Sequence, residues 1–114
     1  MIGLFWNVRG LGKIDRIPAL RGRIRDCHAD FVRIMETKKN KLSNGLLNSL
    51  AGKTPFSRYH LEAVGSAGGI LIGANSDIFN MSVNDFLKYC VSAMLTCKKT
   101  SFFLEVDSSI WPCI

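Results

Sequence analysis

The sequence predicts an α/β fold of two facing sheets with helices outside. Three observations point there. The opening stretch alternates strand, helix and strand. The chain beyond residue 55 changes to a meander of short apolar runs separated by turn residues. Of the 114 residues 47% are hydrophobic, enough for a modest core and one domain at most. An α/β unit followed by a meander suits a two-sheet sandwich better than a doubly wound single sheet.

The first strand is predicted over residues 2–6, where Ile2-Gly3-Leu4-Phe5-Trp6 delivers Asn7 to a loop. Trp6 is placed in the core. The loop Val8-Arg9-Gly10-Leu11-Gly12-Lys13 has only Gly-x-Gly, with no third glycine and no Lys-Ser/Thr, so it is not a phosphate-binding loop. A helix is predicted over 15–28. Asp15 is its cap, Pro18 falls in the first turn, and Ile17, Leu20, Ile24 and Cys27 form an apolar stripe. Arg21, Arg23 and Arg25 lie off that stripe and read as a solvated face. Residues 31–35 make the next strand, parallel to the first by the simplest crossover. Ser43 caps a short second helix through Leu50, with Leu46, Leu47 and Leu50 as its apolar face, ended by Gly52 and Pro55.

Phe56 to Val64 reads as a strand, residues 65–69 as a glycine-rich turn, and Ile70-Leu71-Ile72 as a short buried strand. Asn75-Ser76-Asp77 returns the chain. Tyr89 to Thr96 and Ser101 to Val106 read as a hairpin turned by Lys98-Lys99-Thr100. Asp107 to Ile114 reads as a tail, so the chain looks as if it stops between elements.

Lys and Arg number 15 against 9 Asp and Glu, a formal charge of +6. That excess favours DNA or another polyanion without specifying one. Cys27, Cys90, Cys97 and Cys113 show no CxxC, and neither His28 nor His60 completes a zinc set. They read as free thiols of a reducing compartment. No signal peptide or membrane span is expected. The oligomeric state is left open.

The candidate site comes from two strand ends. Phe31-Val32-Arg33-Ile34-Met35 ends in Glu36, just before a basic run, and the first strand ends in Asn7. Open α/β proteins usually place chemistry at such carboxyl ends. For Glu36 the alternative is a solvated carboxylate. For Asn7 it is a turn residue capping its own loop. Arg9 and Lys38 are either surface charge or phosphate-steering groups.

Phe5-Trp6-Asn7-Val8-Arg9-Gly10-Leu11-Gly12 resembles the start of the endonuclease/exonuclease/phosphatase domain, in the version carried by plant LINE-type (non-LTR) retrotransposon polyproteins. Ile34-Met35-Glu36-Thr37-Lys38 is similar to its second motif. Gly65-Ser66-Ala67-Gly68-Gly69-Ile70-Leu71-Ile72 is similar to its glycine-rich hairpin, and Ser109-Ile110-Trp111-Pro112-Cys113 to a later strand end. The resemblance implies a four-layer α/β sandwich, of which residues 1–114 would be the truncated, N-terminal part. It implies Mg²⁺-dependent hydrolysis of phosphodiesters, target-DNA nicking in LINE-type members, and hence a nuclear or cytoplasmic, not secreted, protein. It implies Glu36 as the metal-binding glutamate and Asn7 as the asparagine beside it, together the catalytic and metal residues of this chain.

The rest of the family's machinery does not match. A tyrosine, an Asp-x-Asn pair, a further aspartate and a closing Asp-His pair are expected. Trp111-Pro112 stands where Tyr-Gly-Pro is expected, Asp107 is followed by Ser108-Ser109, and His28 and His60 lie in the wrong stretches. The sequence thus points to a catalytically incomplete fragment of a Mg²⁺-dependent nuclease domain. The alternatives are a non-catalytic nucleic-acid-binding remnant and a fragment that does not fold.

Overall fold

Ile70-Leu71-Ile72-Gly73-Ala74 are all buried, as expected of a strand covered on both faces. This strand lies at the centre of the fold. The computed structural model describes residues 2–11, 16–38, 44–52, 54–62, 68–87, 90–100 and 103–109. In chain order the elements are β1 (Gly3–Asn7), α1 (Arg16–Cys27), β2 (Phe31–Met35), α2 (Asn44–Ala51), β3 (Phe56–Leu61), β4 (Ile70–Asn75), β5 (Phe79–Leu87), β6 (Cys90–Cys97) and β7 (Phe103–Ser109). One sheet has the order β1-β2-β4-β3 and the other β5-β6-β7. β1 and β2 are parallel, as the strand–helix–strand reading requires. β4 is antiparallel to both β2 and β3.

Two cores follow from the alternation of side chains. On the helix side, Leu71 of β4 joins Val32 and Ile34 of β2 with Leu20 and Ile24 of α1 and Leu50 of α2. Between the sheets, Ile70 and Ile72 meet Ala93, and Ala74 joins Phe31, Phe79, Leu95 and Val106. Helices, first sheet and second sheet are therefore three stacked layers.

Several expectations are corrected. The apolar stripe of α1 does not include Cys27, which is exposed. The helix stops there instead. The His28 amide donates to the Arg25 carbonyl at 3.2 Å and the Ala29 amide to the Ile24 carbonyl at 3.1 Å, with His28 left-handed at φ 52°. This is a Schellman closure, and it carries Ala29 rather than Cys27 into the core. β4 runs on to Asn75, and the reversal is made by residues 76–78. There the Asp77 amide donates to Asn75 Oδ1 at 2.9 Å.

β5 was not foreseen. Its alternation is plain in retrospect: Phe79 is buried, Met81 and Val83 half-buried, and Asn80 and Ser82 exposed. The outward Asn80 and Ser82 disguise the strand as a loop. Asp107 to Ser109 belong to β7, where Ser109 pairs with Cys90, not to a tail. Trp6 is half-buried, with the Arg23 guanidinium 4.9 Å over its ring. Asp15, Ser43, Gly65, Tyr89, Ser101 and residues 110–114 lie outside the described residues, as does the side chain of Leu46.

β1 is the edge of its sheet. Its Leu4 and Trp6 pack on the helix-side core, while Gly3, Phe5 and Asn7 are exposed on the other face. The second sheet covers β2, β3 and β4 but stops short of β1. Phe5 is consequently 53% exposed.

Candidate metal and phosphate site at the strand ends

Asn7 is opposite Met35, Met35 opposite Ile70, and Ile70 opposite Leu61. This row crosses the four-stranded sheet at one end. It brings together the carboxyl ends of β1, β2 and β3 and the start of β4. Asn7 and Glu36 end neighbouring parallel strands and lie at the same end of the sheet.

Beyond the row the loops are tied to each other through the backbone. The Val8 amide donates to the Met35 carbonyl at 3.1 Å, Gly10 to Glu36 at 2.7 Å and Leu11 to Thr37 at 3.0 Å. On the other side the Thr37 amide donates to the Gly69 carbonyl at 3.1 Å and Lys38 to Gly68 at 2.7 Å. The motif Glu36-Thr37-Lys38 thus continues the sheet by one more step, gripped between the β1 loop and Gly68 and Gly69.

The backbone is unusual here. Arg9, Glu36 and Lys38 all have positive φ, of 53°, 56° and 55°, and Gly10, Gly68 and Gly69 do as well. A non-glycine residue in this region costs about 1–2 kcal/mol, so the tertiary structure must impose it. Gly69 is needed for a second reason: a Cβ there would collide with Thr37 Oγ1. Gly69 therefore serves close packing on the β2 end, and the carbonyls of Gly68 and Gly69 are already engaged.

Asn7 is exposed, and its Oδ1 accepts the Arg9 amide at 3.1 Å. Asn7 does cap its own loop. A carbonyl oxygen has two lone pairs, so the amide oxygen keeps a site for another partner. Glu36 is half-buried. Arg9 and Lys38 are both exposed, and the Lys38 stem passes over Gly10, where a Cβ would lie 3.6 Å from Lys38 Cδ.

Two residues were not anticipated from the sequence. Thr37 is fully buried, and its Oγ1 is 3.1 Å from His60 Nε2 on β3. Burial pushes the His60 ring below its ordinary pKa, opposed by the Glu62 carboxylate. Nothing in the spacing of Thr37 and His60 announces this contact, which depends on β3 and β2 flanking the same strand.

A carboxylate and an amide oxygen are hard donors of the kind Mg²⁺ takes, commonly one or two carboxylates with waters completing the shell. The donor types at Glu36 and Asn7 fit that ion. Among the described residues no group of three or more His, Cys, Asp or Glu could hold a metal ion, so Glu36 and Asn7 do not by themselves make a complete cation site. No helix among the described residues is long and apolar enough to cross a membrane.

No family model matches the sequence, and no curated protein matches it. Solved structures do match in shape. The chain is similar to AP endonuclease LMAP from Leishmania major, at 17% identity and a TM-score of 0.64, over 92% of this chain and 38% of that one. It is similar to the 3′ phosphatase NExo from Neisseria, bound to a product DNA hairpin, at 16% identity and a TM-score of 0.59, over 91% of this chain and 39% of that one. The APE2 catalytic domain from Xenopus laevis matches at 16% identity and a TM-score of 0.57, over 93% of this chain and 44% of that one. The chain spans well under half the length of each. Its fold is the α/β sandwich of the endonuclease/exonuclease/phosphatase type, present in part.

Proposed function

We propose that residues 1–114 are the N-terminal part of a Mg²⁺-dependent phosphodiesterase domain, a DNA endonuclease of LINE-type retrotransposon origin, catalytically incomplete as it stands. The observation that carries this reading is the pairing of Asn7 with Met35 across the parallel ladder. It sets Glu36 and Asn7 at adjacent strand tips, the positions the motif resemblance assigns to the metal-binding pair.

In this reading Glu36 supplies the single carboxylate and Asn7 an amide oxygen. A bound Mg²⁺ would neutralise charge developing on a phosphoryl group and orient water. Arg9 and Lys38, both exposed, attract the phosphate backbone by charge. No residue of the chain matches the family's general base or its closing histidine, so a phosphate could be held but not efficiently cleaved. DNA is the substrate class favoured, supported by the DNA hairpin bound to the Neisseria phosphatase. Action on chromosomal DNA would place the protein in the nucleus.

The test is nicking of supercoiled plasmid with Mg²⁺. The purified chain is expected to leave the plasmid closed. Nicking above background that disappears in Glu36→Ala would show that the chain carries a complete site.

The charge of +6 favours a second reading, a non-catalytic nucleic-acid-binding remnant. It predicts DNA binding that persists in Glu36→Ala and weakens steeply with salt. Tight binding at high salt would instead indicate a dedicated recognition surface.

A further inference from the structure

We infer that His60 is a positioning residue for the Glu36 carboxylate, acting through the buried hydroxyl of Thr37. The inference rests on the reading of Glu36 as a metal ligand, and its test separates the two.

The direction of the Glu36 side chain depends on its backbone torsions, which are fixed by the preceding peptide, held at the Met35 carbonyl by the Val8 amide at 3.1 Å, and by the following peptide. That peptide is held at both ends. Its carbonyl oxygen, on Glu36, accepts the Gly10 amide at 2.7 Å, and its N–H, on Thr37, donates to the Gly69 carbonyl at 3.1 Å. The Thr37 carbonyl is held too, by the Leu11 amide at 3.0 Å. Every one of these ties is backbone to backbone. The remaining polar group of Thr37 is its hydroxyl, and its partner among the described residues is His60 Nε2 at 3.1 Å.

Thr37 has no exposed surface. A buried hydroxyl without a partner carries a desolvation cost that drives the group toward water or a new partner. Thr37 has little room to turn, because Gly69 packs directly on Oγ1. Loss of the His60 contact therefore presses on the Glu36–Thr37 peptide itself. Glu36, already held at φ 56° by its surroundings, is the residue whose geometry changes. Partners of this indirect kind commonly alter metal affinity 10- to 100-fold.

The test uses the full chain and four variants: Glu36→Gln, His60→Phe, His60→Gln and Leu95→Ala. His60→Phe keeps a ring and removes the nitrogen. His60→Gln restores a polar group. Leu95→Ala, in the core between the sheets, destabilises the fold away from the site. Without metal, amide NMR is expected to show His60→Phe displacing the Glu36, Thr37 and Gly10 resonances, His60→Gln largely restoring them, and Leu95→Ala leaving them in place. Unmoved Glu36 and Gly10 signals in His60→Phe would overturn the inference, whether or not the chain binds metal.

With Mn²⁺ as the probe, followed by water proton relaxation, His60→Phe is expected to weaken binding about 10-fold. His60→Gln should recover most of that, and Leu95→Ala should bind like wild type. Equal losses in His60→Phe and Leu95→Ala would reduce His60 to a structural residue and overturn the inference. Mn²⁺ binding by wild type that is unchanged in Glu36→Gln would overturn the metal reading instead.

Discussion

The Gly10 amide donates to the Glu36 carbonyl at 2.7 Å, joining the loop after β1 to the residue that ends β2. Glu36 adopts φ 56°, a conformation in which a Cβ is a burden. The site should therefore be stabilised by changes that destroy it.

Comparison of Glu36→Gly with Glu36→Ala tests this. Both remove the carboxylate, and only alanine keeps the Cβ that left-handed backbone disfavours. The glycine variant is expected to be more stable by about 1 kcal/mol in urea unfolding. Equal stability would mean that the Glu36 backbone relaxes freely.

Gly69→Ala should be costly. Its φ is 92°, and a Cβ would strike Thr37 Oγ1 with the Lys38 amide nitrogen 3.1 Å away. Strain and overpacking together predict a loss of at least about 2 kcal/mol, read as a fall in the urea midpoint. Gly45, with nothing within 4 Å of a Cβ, should tolerate alanine.

His60 predicts a pH dependence. Burial lowers its pKa in the folded chain below the ordinary 6.5. Between the lowered value and about 6.5 the unfolded chain binds more protons, so stability rises with pH through that window. Stability should fall as pH drops below about 6.5 and level off under the folded value. His60→Gln should flatten this part of the profile, with the Glu62 carboxylate, which partly opposes the shift, still present. A wild-type profile identical to that of His60→Gln would contradict the assignment.

Phe5 should promote self-association. It is 53% exposed on an edge strand, the arrangement that invites pairing with another chain. Phe5→Lys is expected to reduce concentration-dependent scattering. It should cost about 1–2 kcal/mol, through the lost contacts with the Phe31 ring, centroids 5.9 Å apart, and with the Arg33 guanidinium 4.5 Å above the ring. Unchanged association would place the sticky surface elsewhere.

How much was legible in the sequence varied with how local the determining physics is. β1, α1 and β2 could be read because strand and helix periodicities and turn residues are encoded within a few positions. The parallel pairing of β1 with β2 followed from the crossover between them, while the register that sets Asn7 opposite Met35 is fixed only in the completed sheet. β5 was missed because three apolar residues alternating with asparagine and serine look like a loop until Phe79 packs on Phe31 and Ala74 of the first sheet. Cys27 was misplaced because its spacing continued the α1 stripe while the His28 turn ended the helix. Thr37 and His60 were illegible as a pair, since β4 separates their strands and only the completed sheet brings them together.

Residue-resolved broadening by Mn²⁺ in the amide NMR spectrum tests the central claim most directly. Low concentrations of Mn²⁺ should broaden the Glu36 amide and the Asn7 side-chain amide first, with Mg²⁺ reversing the effect and Glu36→Gln abolishing it. Broadening centred on other carboxylates such as Asp77 or Glu105, or the same pattern in Glu36→Gln, would contradict a cation site at these two strand tips.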